Sequence, residues 1–314
     1  MRSPLLGLLV LAFALVACAP APLLPGAPGR DPGGSPPPTA TPAAPIAPST
    51  PAAPGPSPTA PSPASEPAAP TPSGSPSAPT PVVSPSSAPP PAAPPAIDDL
   101  LRRWGGQDIE RFEVTAPVVA LTFDGGADNS AVAGILETLS ANDVPATFFV
   151  TGQFARNFPD DIAAMTAAGH PVGNHSDTHP HFSKTPDEQI RAELRRAEEA
   201  IVDAGGQPAA PLFRFPYGDR TDYDIRVVND AGYIPIRWTI DTVGWKGTSE
   251  GITAEVVRQR VLDGLRPGAI VLMHVGAHPV DRSTPDADAL QRIIDDLREW
   301  GYTFATVPQL LADG

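Results

Sequence analysis

Cysteine is nearly missing from this chain: Cys18 is the single one in 314 residues. No disulfide can form within it, and beyond residue 18 no thiolate is available as nucleophile or metal ligand. Basic side chains are scarce too, 21 Lys and Arg against 35 Asp and Glu, for a net charge of −14. Arg2, Arg30, Asp31 and Glu66 are the only charged residues before Ile97, so the acidic excess belongs entirely to residues 97–314. A surface of that sign repels phosphate backbones and sets nucleic acid aside as a partner. The apolar run from Leu5 to Ala17 is too short to span a bilayer comfortably. Aromatic side chains are absent and large apolar ones few between Pro20 and Pro95, a stretch that holds 29 of the 44 prolines among Ala, Ser and Thr. Such a tract cannot bury a core and stays extended, partly polyproline-like.

What is present sorts into three parts. Arg2 followed by the apolar run and small residues reads as a targeting signal. Leu15-Val16-Ala17-Cys18 resembles a bacterial lipoprotein signal, so residues 1–17 are expected to be a signal peptide and Cys18 the lipidated first residue of the mature protein. An ordinary signal peptide or a buried thiol are the plainer readings. Residues 19–96 form a Pro/Ala/Ser/Thr-rich linker that could reach on the order of 200 Å if fully stretched. Residues 97–314 suffice for a single α/β domain with a sizeable core. The expectation is an extracytoplasmic, membrane-anchored lipoprotein of a bacterium, at the cell surface or in the periplasm, monomeric and searching a polymer meshwork from its tether.

Within the folded part, apolar runs alternate with segments of helical period. Strands are predicted at 117–123, 146–150, 171–174, 212–215, 233–240, 268–273 and 302–306. Helices are predicted at 100–104, 130–142, 160–168, 186–204, 223–231, 253–265 and 285–300. Repeated βα units imply a parallel sheet, either a barrel or doubly wound. Four of the six histidines lie between His170 and His181, and His175 and His179 are four apart. If that segment turns helically, both imidazoles share a face and can reach one ion; the plainer reading is a polar loop. Asp124, His175, Arg214, Asp241 and His274 each fall at or just beyond the end of a predicted strand. In parallel β/α folds those ends gather on one face, where active sites are built.

Thr122-Phe123-Asp124-Gly125-Gly126, His175-Ser176-Asp177-Thr178-His179, Arg214-Phe215-Pro216-Tyr217-Gly218, Asp241-Thr242-Val243-Gly244-Trp245 and Leu272-Met273-His274 occur in the order of five motifs. Together they resemble the polysaccharide deacetylases, the NodB-homology domain of carbohydrate esterase family 4, over roughly Ala116 to Leu311. The resemblance implies a distorted (β/α) barrel and metal-dependent removal of acetyl groups from a polysaccharide. It implies that His175 and His179 hold a divalent ion, zinc first and cobalt or another metal as alternatives. Asp124 would be the general base, His274 the acid that protonates the leaving group, and Arg214 the residue that keeps Asp124 ionised and oriented. The backbone N–H of Tyr217 would help hold the oxyanion, while Trp245 and Leu272 wall the acetyl methyl. The substrate would be an N-acetylglucosamine-type sugar in peptidoglycan or a chitin-like glycan, or O-acetyl xylan.

Two positions depart from the family pattern. The second Asp of the first motif, a metal ligand in the family, is Gly125, and the Asp before Trp in the fourth motif is Gly244. Two histidines alone make a poor catalytic zinc site. Asp128 is therefore a candidate third ligand reaching back across the glycines, against the alternative that it caps the helix near Ser130. Asp241 is a candidate to orient His274 in place of the missing carboxylate. His181 and His278 read as loop residues near the site, and Gly125-Gly126 lacks the spacing of a dinucleotide loop. Two other classes remain open: a catalytically impaired glycan-binding lipoprotein, and a glycosidase using Asp124 and Asp241, in which the histidine pair would have no purpose.

Overall fold

The computed structural model describes residues 95–314; the signal peptide, Cys18 and almost all of the linker lie outside them. Helix α1 (Ile97–Trp104) leads in, and β1 (Val118–Gly125), α2 (Val132–Ala141) and β2 (Thr147–Val150) follow. Then come α3 (Gly152–Asn157), α4 (Pro159–Ala167), β3 (Val172–Asn174) and α5 (Asp187–Asp203). The second half runs β4 (Leu212–Phe213), α6 (Asp222–Asp230), β5 (Ile234–Pro235), β6 (Ile240–Asp241), α7 (Ala254–Gly264), β7 (Ala269–His274), α8 (Pro285–Glu299), β8 (Thr303–Phe304) and α9 (Val307–Asp313). None of the described helices is long and apolar enough to cross a membrane.

All pairings between these strands are parallel, in the order β5-β4-β3-β2-β1-β7-β6, with β8 against the first residues of β1. The curled sheet is the expected distorted barrel. Its opening is bridged by the segment after α1: Ile109 pairs with Ile236 beyond β5, and Arg111 with Ala269 at the start of β7. The predicted strand over 233–240 is two short strands instead. The backbone between them is spent elsewhere, since the carbonyls of Ile236 and Arg237 accept from the Arg214 guanidinium. Helices α3 and α9 were not foreseen in the sequence.

Strand alternation decides what faces the site. On β1, Val119, Leu121 and Phe123 enter the main core beneath the helices, with Ala269, Val271 and Met273 of β7. Ala120 and Ile270 face the other way, into an inner cluster with Phe149, Leu212, Ile234 and residues of α1 and α9 such as Leu100, Leu310 and Leu311. Each large apolar side chain so buried contributes about 1.5–3 kcal/mol. The period of two then carries Thr122 and Asp124 on β1, and Leu272 and His274 on β7, onto the inner face. Asp124 and His274 are direct neighbours across the two strands, at their C-terminal ends.

Candidate active site

Arg214 is completely buried, and every donor group of its guanidinium has a partner or a stacking surface. Nη1 donates to Asp124 Oδ1 at 2.6 Å, Nη2 to Thr122 Oγ1 at 2.9 Å and the Arg237 carbonyl at 3.0 Å, and Nε to the Ile236 carbonyl at 3.0 Å. The plane lies 4.2 Å over the Phe149 ring. Burial opposes ionisation of Asp124, but the charges of Arg214 and His274 and the Arg214 hydrogen bond outweigh it and hold its pKa below the usual carboxylate range. Its second oxygen is left facing His175 Nε2 at 3.4 Å.

The histidine loop is not helical. Ser176 and His179 have φ of 65° and 61°, in the left-handed region that costs a non-glycine residue about 1–2 kcal/mol. Side chains hold that path: Asn174 Oδ1 accepts from the Ser176 N–H at 2.9 Å, and Ser176 Oγ from the His179 N–H at 3.0 Å. Below them, the carboxylate of Asp177 is gripped by Arg156 and Arg196 at 2.6 and 2.7 Å. Glu193 of α5 accepts the N–H groups of Asp177 and Thr178. His175 Nδ1 lies 2.9 Å from the Arg214 carbonyl and so is assigned as its donor, which leaves Nε2 with a free lone pair. That lone pair faces His179 Nε2 at 3.2 Å. Burial lowers the pKa of both rings, that of His179 to about 3 with help from the neighbouring His175.

Two neutral imidazoles with facing ring nitrogens are the donor set of a first-row divalent ion. Nitrogens bound at about 2.0–2.1 Å to one tetrahedral ion stand roughly 3.3 Å apart, and the observed separation fits. The carboxylate expected to complete the set does not. Both oxygens of Asp128 are engaged elsewhere: Oδ1 accepts from the N–H groups of Ser130 at 3.0 Å and Ala277 at 2.8 Å, and Oδ2 pairs with Arg282 at 3.0 Å. Asp128 therefore matches neither alternative: α2 has Ala131 as its N-cap with no side-chain cap bond, and Asp128 instead closes a turn onto the Ser130 N–H and ties the loop after β7 to the loop after β1. Among the described residues, no group of three His, Cys, Asp or Glu side chains able to hold a metal ion is assembled.

Asp241 does not orient His274 either. Its Oδ1 accepts from the Val243 N–H at 2.8 Å, closing a turn on its own strand end. The carboxylate beside His274 belongs to Asp286, in the first turn of α8: Oδ2 accepts the His274 backbone N–H at 2.9 Å and lies 3.6 Å from Nδ1. Burial would lower the His274 pKa, but the carboxylates of Asp286, Asp124 and Asp241 outweigh it and raise it above the ordinary imidazole value.

These residues converge on one pocket of about 570 Å³, lined by Asp124, His175, His179, Tyr217, Asp241, Trp245, Leu272 and His274, with Asp128 at its edge and Arg214 behind it. Tyr217 takes a φ of 60°, and its ring packs against His179 and His181, each with ring centroids 4.3 Å away. Trp245 is half exposed and Leu272 buried, on the apolar side. Phe215 and Trp238 complete the walls, and sequence reading missed both; it also missed Asp177, Glu193 and Asp286. Asp177 and Phe215 stood inside quoted motifs and offered a signal; the other three lay in turn or helix sequence with none.

The polysaccharide deacetylase family model matches residues 112–236. A peptidoglycan-N-acetylglucosamine deacetylase of Bacillus cereus is 34% identical over 61% of this chain and 67% of its own length. A chitooligosaccharide deacetylase of Sinorhizobium fredii is 34% identical over 64% of this chain and 95% of its own. Among solved structures, a carbohydrate esterase family 4 pseudoenzyme from Bacillus anthracis aligns with a TM-score of 0.60 at 30% identity, covering 67% of this chain and 71% of that one. Convergence of the five motifs on one pocket and these likenesses agree: the chain belongs to the polysaccharide deacetylases of carbohydrate esterase family 4.

Proposed function

We propose that the domain hydrolyses acetyl groups from an N-acetylated glycan, with an N-acetylglucosamine-type sugar of peptidoglycan or a chitin-like polymer as substrate. The observation that carries this reading is the neighbouring pair Asp124 and His274, pushed toward opposite protonation states at one pocket wall. Asp124, held ionised by Arg214, takes a proton from the attacking water. His274, held protonated among carboxylates, gives a proton to the leaving nitrogen. The left-handed backbone of Tyr217 presents its N–H to the developing oxyanion, and such strain at a pocket wall is typical of functional positions. Trp245 and Leu272 exclude water around the methyl group. His175 and His179 would hold a divalent ion, zinc or cobalt by ligand preference, whose Lewis acidity would polarise the acetyl carbonyl and acidify the water. The family's dependence on metal supports this, with two protein ligands here rather than three.

The lipoprotein reading of residues 1–18 and the linker joins this proposal: a tethered, extracytoplasmic enzyme acting on envelope or environmental glycan. Gly125 favours a second reading, a glycan-binding protein that has lost catalysis, and the likeness to a family pseudoenzyme adds to it. A mutant of that pseudoenzyme with restored enzymatic activity aligns equally well, with a TM-score of 0.61. Acetate release from chito-oligosaccharides and from peptidoglycan separates the two. Release abolished by chelator and restored by zinc or cobalt supports the enzyme. Binding to glycan with no acetate from any substrate, metal-loaded or not, supports the second reading.

A further inference from the structure

Gly244 and Asp286 occupy one another's space. A Cβ built on Gly244 would lie 2.1–2.4 Å from the carboxylate atoms of Asp286, a contact no side chain tolerates. The Asp286 carboxylate therefore sits where a side chain at position 244 would begin. Asp286 is only 3% exposed, which costs a carboxylate several kcal/mol unless it is well partnered. Its partners are specific. Oδ1 accepts the Thr242 hydroxyl at 2.6 Å, Oδ2 accepts the His274 backbone N–H at 2.9 Å, and Oδ2 stands 3.6 Å from His274 Nδ1. That Nδ1 is buried and has no hydrogen-bond partner within the protein. A first-turn carboxylate in α8 gains from the helix dipole, but that gain needs no burial and no approach to an imidazole. Of the other acids near His274, Asp124 is paired with Arg214, and Asp241 spends an oxygen on the Val243 N–H.

We propose that Asp286 is the positioning residue of His274, and that Gly244, having no side chain, lets this carboxylate reach the imidazole from α8 instead of from the loop that carries Trp245. The role rests on the deacetylase reading for its catalytic consequence, but not for its structural content. A proton on Nδ1 facing Asp286 leaves Nε2 to serve the pocket, and the ring cannot turn without giving up that charge. Asp286 acts on the ring only through this contact. The other charged or titratable groups facing His274 are Asp124 on β1, Asp241 on β6, and His175 and His179 on the loop after β3.

The test moves the carboxylate to the other loop. Four full-length proteins are compared: the natural chain, Asp286→Ala, Gly244→Asp, and the double variant Gly244→Asp/Asp286→Ala, with Asp286→Asn as an isosteric control. Acetate release and the titration midpoint of the His274 ring, followed by NMR of isotope-labelled histidine, are read on each, with melting as a check on folding. Asp286→Asn and Asp286→Ala are expected to lower kcat on the order of 10–100-fold and to move the His274 midpoint down. Gly244→Asp alone is expected to destabilise the fold, and the double variant to recover the midpoint and at least a tenfold share of kcat. A double variant no better than Asp286→Ala in either measurement, while folded, overturns the proposal. So does an unmoved midpoint in folded Asp286→Asn. If the natural chain releases no acetate from any glycan, the deacetylase reading fails, and the midpoints alone decide on Asp286.

Discussion

His175 and His179 bring their Nε2 atoms to 3.2 Å across a loop that contains no helical turn. Four-residue spacing would place them together on a helix as well, yet the contact is made by two left-handed residues and a set of side-chain props. The props are buried or part-buried, Asn174 on β3 and Glu193 on α5 from outside the loop and Ser176 from within it.

Metal binding is the first expectation from this pair. Zinc titrated into the purified chain is expected to bind at one equivalent, and His175→Ala or His179→Ala to abolish that binding by calorimetry. Gly125→Asp should tighten it by at least tenfold by adding a third ligand. The new Cβ would meet Val150, Val275 and Phe154 at 3.1, 3.3 and 3.4 Å, so a stability loss of about 1–3 kcal/mol is expected in denaturant unfolding. Unchanged affinity in Gly125→Asp would remove the two-ligand explanation.

The loop's foundation should matter to the metal without touching it. Asp177→Ala frees Arg156 and Arg196 and loosens the turn carrying His179. Zinc affinity is expected to fall on the order of 10–100-fold with His175 still in place. Equal affinity in the variant and the natural chain would show that the loop holds its shape unaided.

Arg214 and Asp124 form a buried pair whose separation strands a charge. Arg214→Met is expected to cost about 3–5 kcal/mol in chemical unfolding, while Asp124→Asn/Arg214→Met together should cost less than the sum of the two. Strict additivity in that cycle would mean the pair is not coupled.

Stability should fall with acid through the histidine pair. The His179 pKa is about 3 in the folded chain against 6.5 when unperturbed. Between those values the unfolded chain binds the extra proton, so stability drops as pH falls from about 6.5. His274 has the opposite sign: its raised pKa gives stability that is full below 6.5 and lost as pH rises through the folded value. Melting followed from pH 7 to 4.5 should decline less steeply in His179→Gln than in the natural chain, and an identical slope would contradict the assignment.

Much of this site is legible in the chain because parallel sheets display the residues that end their strands. Asp124 and His274 are set directly by alternation within two apolar runs that can only be buried strands. His175 and Arg214 close strands of the same sheet, although the run over 233–240 hid a break forced by Arg214 taking two of its carbonyls. Asp286 was hidden for another reason: it lies in the first turn of a helix after a proline, where an acidic residue ordinarily serves the helix dipole. Asp128 could be read two ways from its spacing alone, and the structure follows neither, because its carboxylate is taken by Ala277 and Arg282, about 150 residues away.

The order of apolar and polar residues by itself determined the strands, the faces they bury and the identity of the groups available for acid, base and metal chemistry, since periodicity and side-chain type are local properties. Only the tertiary structure decided which carboxylate stands beside which imidazole. Asp286 displaces any side chain at Gly244, and Asp128 turns away to staple two loops, because both outcomes depend on close packing between segments far apart in the chain, where two groups cannot fill one volume.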